Sequence, residues 1–131
     1  MKHFIALVHK DKGSAFGVSF PDLPSVFSAA DGEEDLVANA IEALRLWGED
    51  EALPLPSSYE QVTARDDIRA ELANGAFLMR IPVIEDDARV VRANVTFEKG
   101  MLEAIDAAAR ERGLTRSAFL ASAARKEIEA A

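Results

Sequence analysis

A stretch near the C-terminus, VVRANVTFEKG at residues 90–100, alternates polar and apolar side chains, yet no neighbouring sequence offers it a strand to pair with. With a period of two, Arg92, Asn94 and Thr96 lie on one face of a strand and the residues between them on the other. The segments after it have helical spacing to the end of the chain. A single strand leaves its backbone N–H and C=O groups without partners. The stretch therefore predicts pairing with a second copy of the chain.

Two amphipathic helices are predicted after this strand. The first contains KGMLEAIDAAARERG and ends at Gly113, and the second begins after Thr115, which is a suitable N-cap. A strand and two helices in about forty residues are near the lower size limit for a chain that folds alone. In the predicted homodimer, the two strands pair antiparallel and four helices close one shared core.

The paired strands would form a ribbon that fits the major groove of DNA. Arg92 suits guanine, Asn94 suits adenine, and Thr96 can hydrogen-bond or contact a thymine methyl group. A solvated outer face is the alternative for a strand of this kind, but the two following helices favour DNA contact. We therefore predict that these three residues contact bases.

The start of the second predicted helix, TRS, offers a site for a phosphate group. Its free backbone amides, the hydroxyls of Thr115 and Ser117 and the charge of Arg116 together suit the DNA backbone. Thr115 would cap the helix whether or not DNA is bound. We predict that these residues position the protein on operator DNA.

Charge divides the chain at EDD, residues 85–87. Residues 1–87 carry 7 Lys and Arg against 17 Asp and Glu, a net charge of −10, whereas residues 88–131 carry 8 against 6, a net charge of +2. Such a change in composition marks a candidate domain boundary, so we predict domains at 1–87 and 88–131.

The absence of cysteine excludes disulfides and thiolate metal sites. No apolar run is long enough for a membrane span, and a cytoplasmic protein is expected.

The first predicted domain combines strands and helices. Its predicted strands are KHFIALVH, FGVSF, VFSAA and AFLMRIPVI, and PDLPS is a predicted turn. Asp31 is the predicted N-cap of a helix whose apolar stripe runs from Leu36 to Trp47, and a short helix is predicted at residues 67–73. The order predicts an α+β fold, βββα(α)β.

Catalysis is not indicated. The carboxylates cluster in turns and helix starts, where capping explains them, and two-metal chemistry needs carboxylates that converge from several elements. His3 and His9 fall on one face of a strand but about 20 Å apart, too far to share a metal. We predict no catalytic residue, no metal and no cofactor.

Two segments resemble a known protein family. The N-terminal domain of HicB antitoxins resembles the first segment, GVSFPDLPSVFSAADGEEDLVANAIEALRLW. A ribbon-helix-helix module of bacterial repressors and antitoxins resembles the second, VRANVTFEKGMLEAIDAAARERGLTRSAFLASAARKEI. Together they cover nearly the whole chain. Ser25 and Val26 stand where many relatives carry Gly-Cys, which is a local difference in one turn.

The resemblance implies a partial RNase H-like N-terminal domain that binds and masks a HicA-type toxin, an RNase that degrades mRNA. It also implies a ribbon-helix-helix tail that represses the operon as a homodimer, or as a tetramer of paired dimers. It does not indicate which residues contact the toxin. A stand-alone ribbon-helix-helix regulator with a sensory N-terminal domain and no toxin is the second hypothesis, and an enzyme is the third.

Overall fold

The computed structural model of the chain describes residues 1–85, 87 and 89–130. Two compact units are present, Met1–Glu85 and Asp86–Ala130. The boundary predicted at residue 87 falls beside Asp86 and Ala88, which lie outside the described residues. Within the described residues, no helix is both long enough and apolar enough to cross a membrane.

The first unit is built on a four-stranded antiparallel sheet. Its strands are β1 (Lys2–Lys10), β2 (Phe16–Phe20), β3 (Leu23–Ala30) and β4 (Phe77–Val83), in the spatial order β3-β2-β1-β4. A turn between β1 and β2 contains Gly13 at φ +79°, a conformation that favours glycine. The predicted α+β class is confirmed.

Helix α1 (Leu36–Asp50) covers one face of the sheet. Alternation along β1 sends Phe4, Ala6 and Val8 to this face, where they form the larger core with apolar residues of α1. Leu44 of α1 is fully buried there. The predicted apolar stripe of this helix is confirmed, because four of its positions are buried: Leu36, Ala40, Ile41 and Leu44.

The predicted N-cap of α1 is wrong. Asp31 lies in a bend, and a 3-10 turn, Glu33–Asp35, separates it from the helix. The residue at the cap position of α1 is Asp35, and its side chain makes no capping hydrogen bond. Three successive acidic residues mimic the first turn of an α-helix in the sequence, but here they occupy the tighter 3-10 turn that leads into it.

Helices α2 (Tyr59–Thr63) and α3 (Asp66–Ala73) contact the other face of the sheet. Ile5 and Leu7, the alternate residues of β1, form a second, smaller core with Val62 and Ile68 of these helices. Helix α3 was predicted, one residue shorter, and α2 was not. The sheet is therefore covered on both faces.

The turn between β2 and β3 is tied to the segment that leads into α2 and α3. The carboxylate of Asp22 accepts hydrogen bonds from the backbone N–H of Ser57 at 2.7 Å and from its hydroxyl at 2.6 Å. Arg65 donates to the carbonyl of Pro21 at 3.0 Å. The turn is shorter than the predicted PDLPS, because β3 already begins at Leu23.

Each edge strand of the sheet contains a proline, Pro24 in β3 and Pro82 in β4. On the β3 side, the amide of Asn39 in α1 donates to the backbone carbonyl of Ala29 at 2.9 Å. A backbone acceptor of the outer strand is thus bound by a side chain of the same unit.

The second unit contains α4 (Lys99–Glu111) and α5 (Arg116–Glu129). Gly113 joins them at φ +67°, the left-handed helix stop that the sequence predicts. The described residues between 89 and 98 form no strand. The strand was predicted to form by pairing with a second copy of the chain, so both the strand and its pairing stay predictions.

Candidate functional site

Every described residue of the segment before α4, from 89 to 98, is exposed. Val90 is 96% exposed, Val91 88% and Val95 68%, which are unusual values for aliphatic side chains in a folded chain. Arg92, Asn94 and Thr96 alternate with them along the sequence and are also exposed. All three predicted base-contacting residues are thus accessible within one continuous segment.

The connection between α4 and α5 places the three predicted phosphate-contacting residues together. Thr115 is the N-cap of α5, and its hydroxyl oxygen accepts from the N–H of Ala118 at 3.1 Å, as predicted. Arg116 and Ser117 follow in the first turn, and all three side chains are exposed. The first turn of this fourteen-residue helix contains no acidic residue.

Arg116 already has an anionic partner in this unit. Its Nε and Nη2 donate to the two carboxylate oxygens of Asp106 in α4, both at 2.8 Å. This bidentate pair lowers the pKa of Asp106, chiefly through the hydrogen bond from Arg116, and raises the pKa of Arg116. The Nη1 group is the part of Arg116 that remains outside this pair.

The two helices of the second unit bury very little of their apolar surface. Ile105 and Ala109 of α4 are the buried residues within the described part of α4 and α5, and α5 has none. Met101 is 56% exposed, Leu114 40% and Ile128 37%. A chain of this size needs a larger core than two buried side chains provide. The unit therefore exposes the apolar surface that a partner would have to cover.

Two surface ion pairs lie beside each other at the start of α3 in the first unit. Arg65 forms a bidentate pair with Asp67, at 3.1 and 2.7 Å, and Arg69 pairs with Asp66. The described residues contain no group of three or more His, Asp or Glu side chains that could hold a metal ion. His9 lies against Gly17, where an added Cβ would come within 2.7 Å of its Nε2, while His3 is six residues away along β1.

A family model decides the identity of the chain. The model for the HicB-like antitoxin of bacterial toxin-antitoxin systems matches residues 4–124. The chain belongs to the HicB-like antitoxin family. Among curated proteins, none is significantly similar to it.

Two solved HicB structures agree with this assignment over nearly the whole length of the chain. The antitoxin HicB of Burkholderia pseudomallei is 32% identical, with 97% of this chain and 96% of that chain covered and a TM-score of 0.53. The antitoxin HicB3 is 28% identical over 96% and 97% of the two chains, with the same TM-score. A chain from the HicA3–HicB3 toxin-antitoxin complex, 22% identical, shares the fold over 63% of this HicB-like chain and 98% of its own length, with a TM-score of 0.50.

The signals that sequence reasoning missed concern contacts between distant segments. Neither the Asp106–Arg116 pair nor the Asp22–Ser57 hydrogen bonds could be inferred from spacing, because each joins two separate elements. Helix α2 did have a local signal. Ser58 and Gln61 form a capping box, with the backbone N–H of Gln61 donating to Ser58 and that of Ser58 donating to Gln61.

Proposed function

We propose that this HicB-like antitoxin binds and masks a HicA-type mRNA-cleaving toxin through residues 1 to about 87, and represses its own operon through a dimeric ribbon-helix-helix module at residues 88–131. Neutralisation on this proposal is occlusion of the toxin's RNA-binding surface. It needs no catalytic residue, cofactor or metal in the antitoxin.

The observation that carries the DNA-binding part is the exposed segment at residues 90–97. Its apolar side chains, Val91 and Val95 among them, lie open to solvent in the isolated chain, as do apolar residues of α4 and α5. Antiparallel pairing of this segment with its copy would satisfy its backbone and bury the apolar alternate positions. The polar positions would then lie on the outer face of a two-stranded ribbon.

Charge supports the masking part. Residues 1–87 have a net charge of −10, and an RNase must present a basic surface to bind phosphates. An acidic domain competes for that surface by charge complementarity. Many soluble domains are acidic, so membership of the HicB-like antitoxin family is the second support for a toxin partner.

The DNA-binding proposal is tested by replacing Arg92 with alanine in the full chain. Loss of a base contact should weaken binding to the DNA upstream of the gene by about 1–3 kcal/mol and relax its sequence preference. Replacing Arg116 should instead weaken binding to all sequences more evenly. Gel-shift or fluorescence anisotropy measurements at two salt concentrations check both variants. A folded Arg92→Ala protein with unchanged affinity and preference would contradict the assignment.

The toxin-masking proposal is tested by co-expression with a small RNase encoded next to this gene. Residues 1–85 alone should restore growth and form a complex that weakens as salt is raised. Continued toxicity, with the fragment folded by circular dichroism, would refute the proposal. A locus without such a neighbour would favour the stand-alone regulator.

A further inference from the structure

A pocket opens on the α2 side of the sheet, next to the start of that helix. Ile5 of β1 lines it, as do Leu55, which precedes α2, and Tyr59, the first residue of α2. His3 of β1 and Arg80 of β4 line it from the sheet. Arg80 is directly opposite Ile5 in the β1–β4 ladder, and His3 is two positions further along the same face. Their side chains are therefore diagonal neighbours within one cavity.

The charge of this pocket is opposite to that of the unit that contains it. Residues 1–85 carry 15 Asp and Glu against 7 Lys and Arg, yet the side chains that line the cavity in the described chain include Lys2, His3 and Arg80 and no carboxylate. Lys2 forms an ion pair with Glu85 at 3.0 Å. Arg80 has no ion pair among the described residues. Partial burial lowers the pKa of His3, and the positive charge of Arg80 lowers it further.

The wall of the pocket is held in place before any ligand arrives. Lys2 Nζ donates to the carbonyl of Leu53 at 2.8 Å, which fixes the segment before α2 to β1. Ser57 is held by the carboxylate of Asp22, and Ser58 by the capping box with Gln61. A preformed wall lowers the ordering cost of binding. The cavity is thus a built feature of the unit.

We propose that this pocket binds a small phosphate ester with a flat apolar body, for which a nucleoside monophosphate is the simplest probe. The guanidinium of Arg80 would donate paired N–H groups to phosphate oxygens, the geometry for which arginine is best suited. The hydroxyl of Ser58 accepts from Gln61 and keeps its own hydrogen to donate. The ring of Tyr59, 46% exposed, and the side chain of Leu55, 87% exposed, offer an apolar surface for the base.

Calorimetric titration of the full chain with AMP, adenosine and inorganic phosphate tests the proposal. AMP should bind more tightly than either of its parts, and the amide NMR signals of Ser58 and Tyr59 should shift. Arg80→Gln should weaken AMP binding about tenfold, because a charge-assisted contact is lost. Arg45→Gln is the matched control: it removes the same charge from an exposed arginine on α1, across the sheet, and should leave the affinity unchanged.

Three results would overturn the proposal. They are AMP binding no tighter than adenosine, inorganic phosphate binding as tightly as AMP, and Arg80→Gln behaving like Arg45→Gln. Arg80→Lys provides a second variant should Arg80→Gln fail to fold: lysine keeps the charge but not the paired N–H donors, so it too should weaken AMP binding while leaving adenosine unaffected. These outcomes do not depend on toxin or DNA binding, so they test the pocket separately from the proposed function.

Discussion

Replacing Asp22 with alanine should destabilise the first unit more than any other single change of a surface carboxylate. The side chain accepts two short hydrogen bonds from Ser57, at 2.7 and 2.6 Å, in a partly buried position. A hydrogen bond to a charged group contributes about 1.5–3 kcal/mol when buried, and partial exposure reduces that. We expect a loss of about 2 kcal/mol for both bonds together.

A loss of this size is large for a unit of 85 residues, whose stability should be on the order of 5–10 kcal/mol. It should lower the melting temperature by roughly 10 °C. Asp22→Asn keeps one carbonyl acceptor and should lose about half as much. Urea denaturation of the full chain, followed by the fluorescence of Trp47, which packs against the larger core, measures the change.

Asp31→Ala is the matched control, since Asp31 is an exposed carboxylate outside the helix and caps nothing. Its unfolding free energy should stay within about 0.5 kcal/mol of the unmodified chain, as for most surface changes. Equal stability of Asp22→Ala and Asp31→Ala would show that the Asp22–Ser57 contact contributes nothing net, and would refute the reasoning.

Two further predictions concern the second unit. The hydrogen bond from Arg116 lowers the pKa of Asp106 below its usual 3.8. The pair therefore stabilises the unit above pH 3.8, and this stabilisation is lost as the pH falls through the lower folded-state pKa. NMR titration of the carboxyl group checks this, and Asp106→Asn should abolish the pH dependence. Val95 is 68% exposed in the single chain, so Val95→Lys should not harm the fold of that chain. It should weaken dimerisation roughly 100-fold, because two apolar contacts are lost per dimer, whereas Thr96→Lys should leave dimerisation unchanged. Sedimentation that shows equal dimerisation of both variants would exclude the ribbon.

The sheet and its main helix were predictable because their signals are local. Alternation along β1 and helical spacing from Leu36 to Trp47 depend on sequence neighbours alone. The N-cap prediction at Asp31 was wrong because acidic residues occur both in a 3-10 turn and in the first turn of an α-helix. Helix α2 is five residues long and follows two prolines, and such short helices give no periodic signal.

The candidate sites were predictable only in part, for a different reason. Thr115 caps α5 as predicted, since capping depends on one residue and its next three. The engagement of Arg116 by Asp106 depends on how α4 and α5 pack, which no spacing rule supplies. The state of residues 90–97 depends on a second molecule, so neither the sequence nor a single chain can fix it.

The two prolines of the outer strands bear on how the protein behaves at high concentration. An open sheet edge is a template for strands of other molecules, and uncontrolled addition leads to aggregates. Proline has no N–H to donate, and Asn39 already donates to the carbonyl of Ala29, so an incoming strand would find fewer backbone partners along these edges. Sheet-to-sheet polymerisation of the first unit is therefore disfavoured even when the protein accumulates.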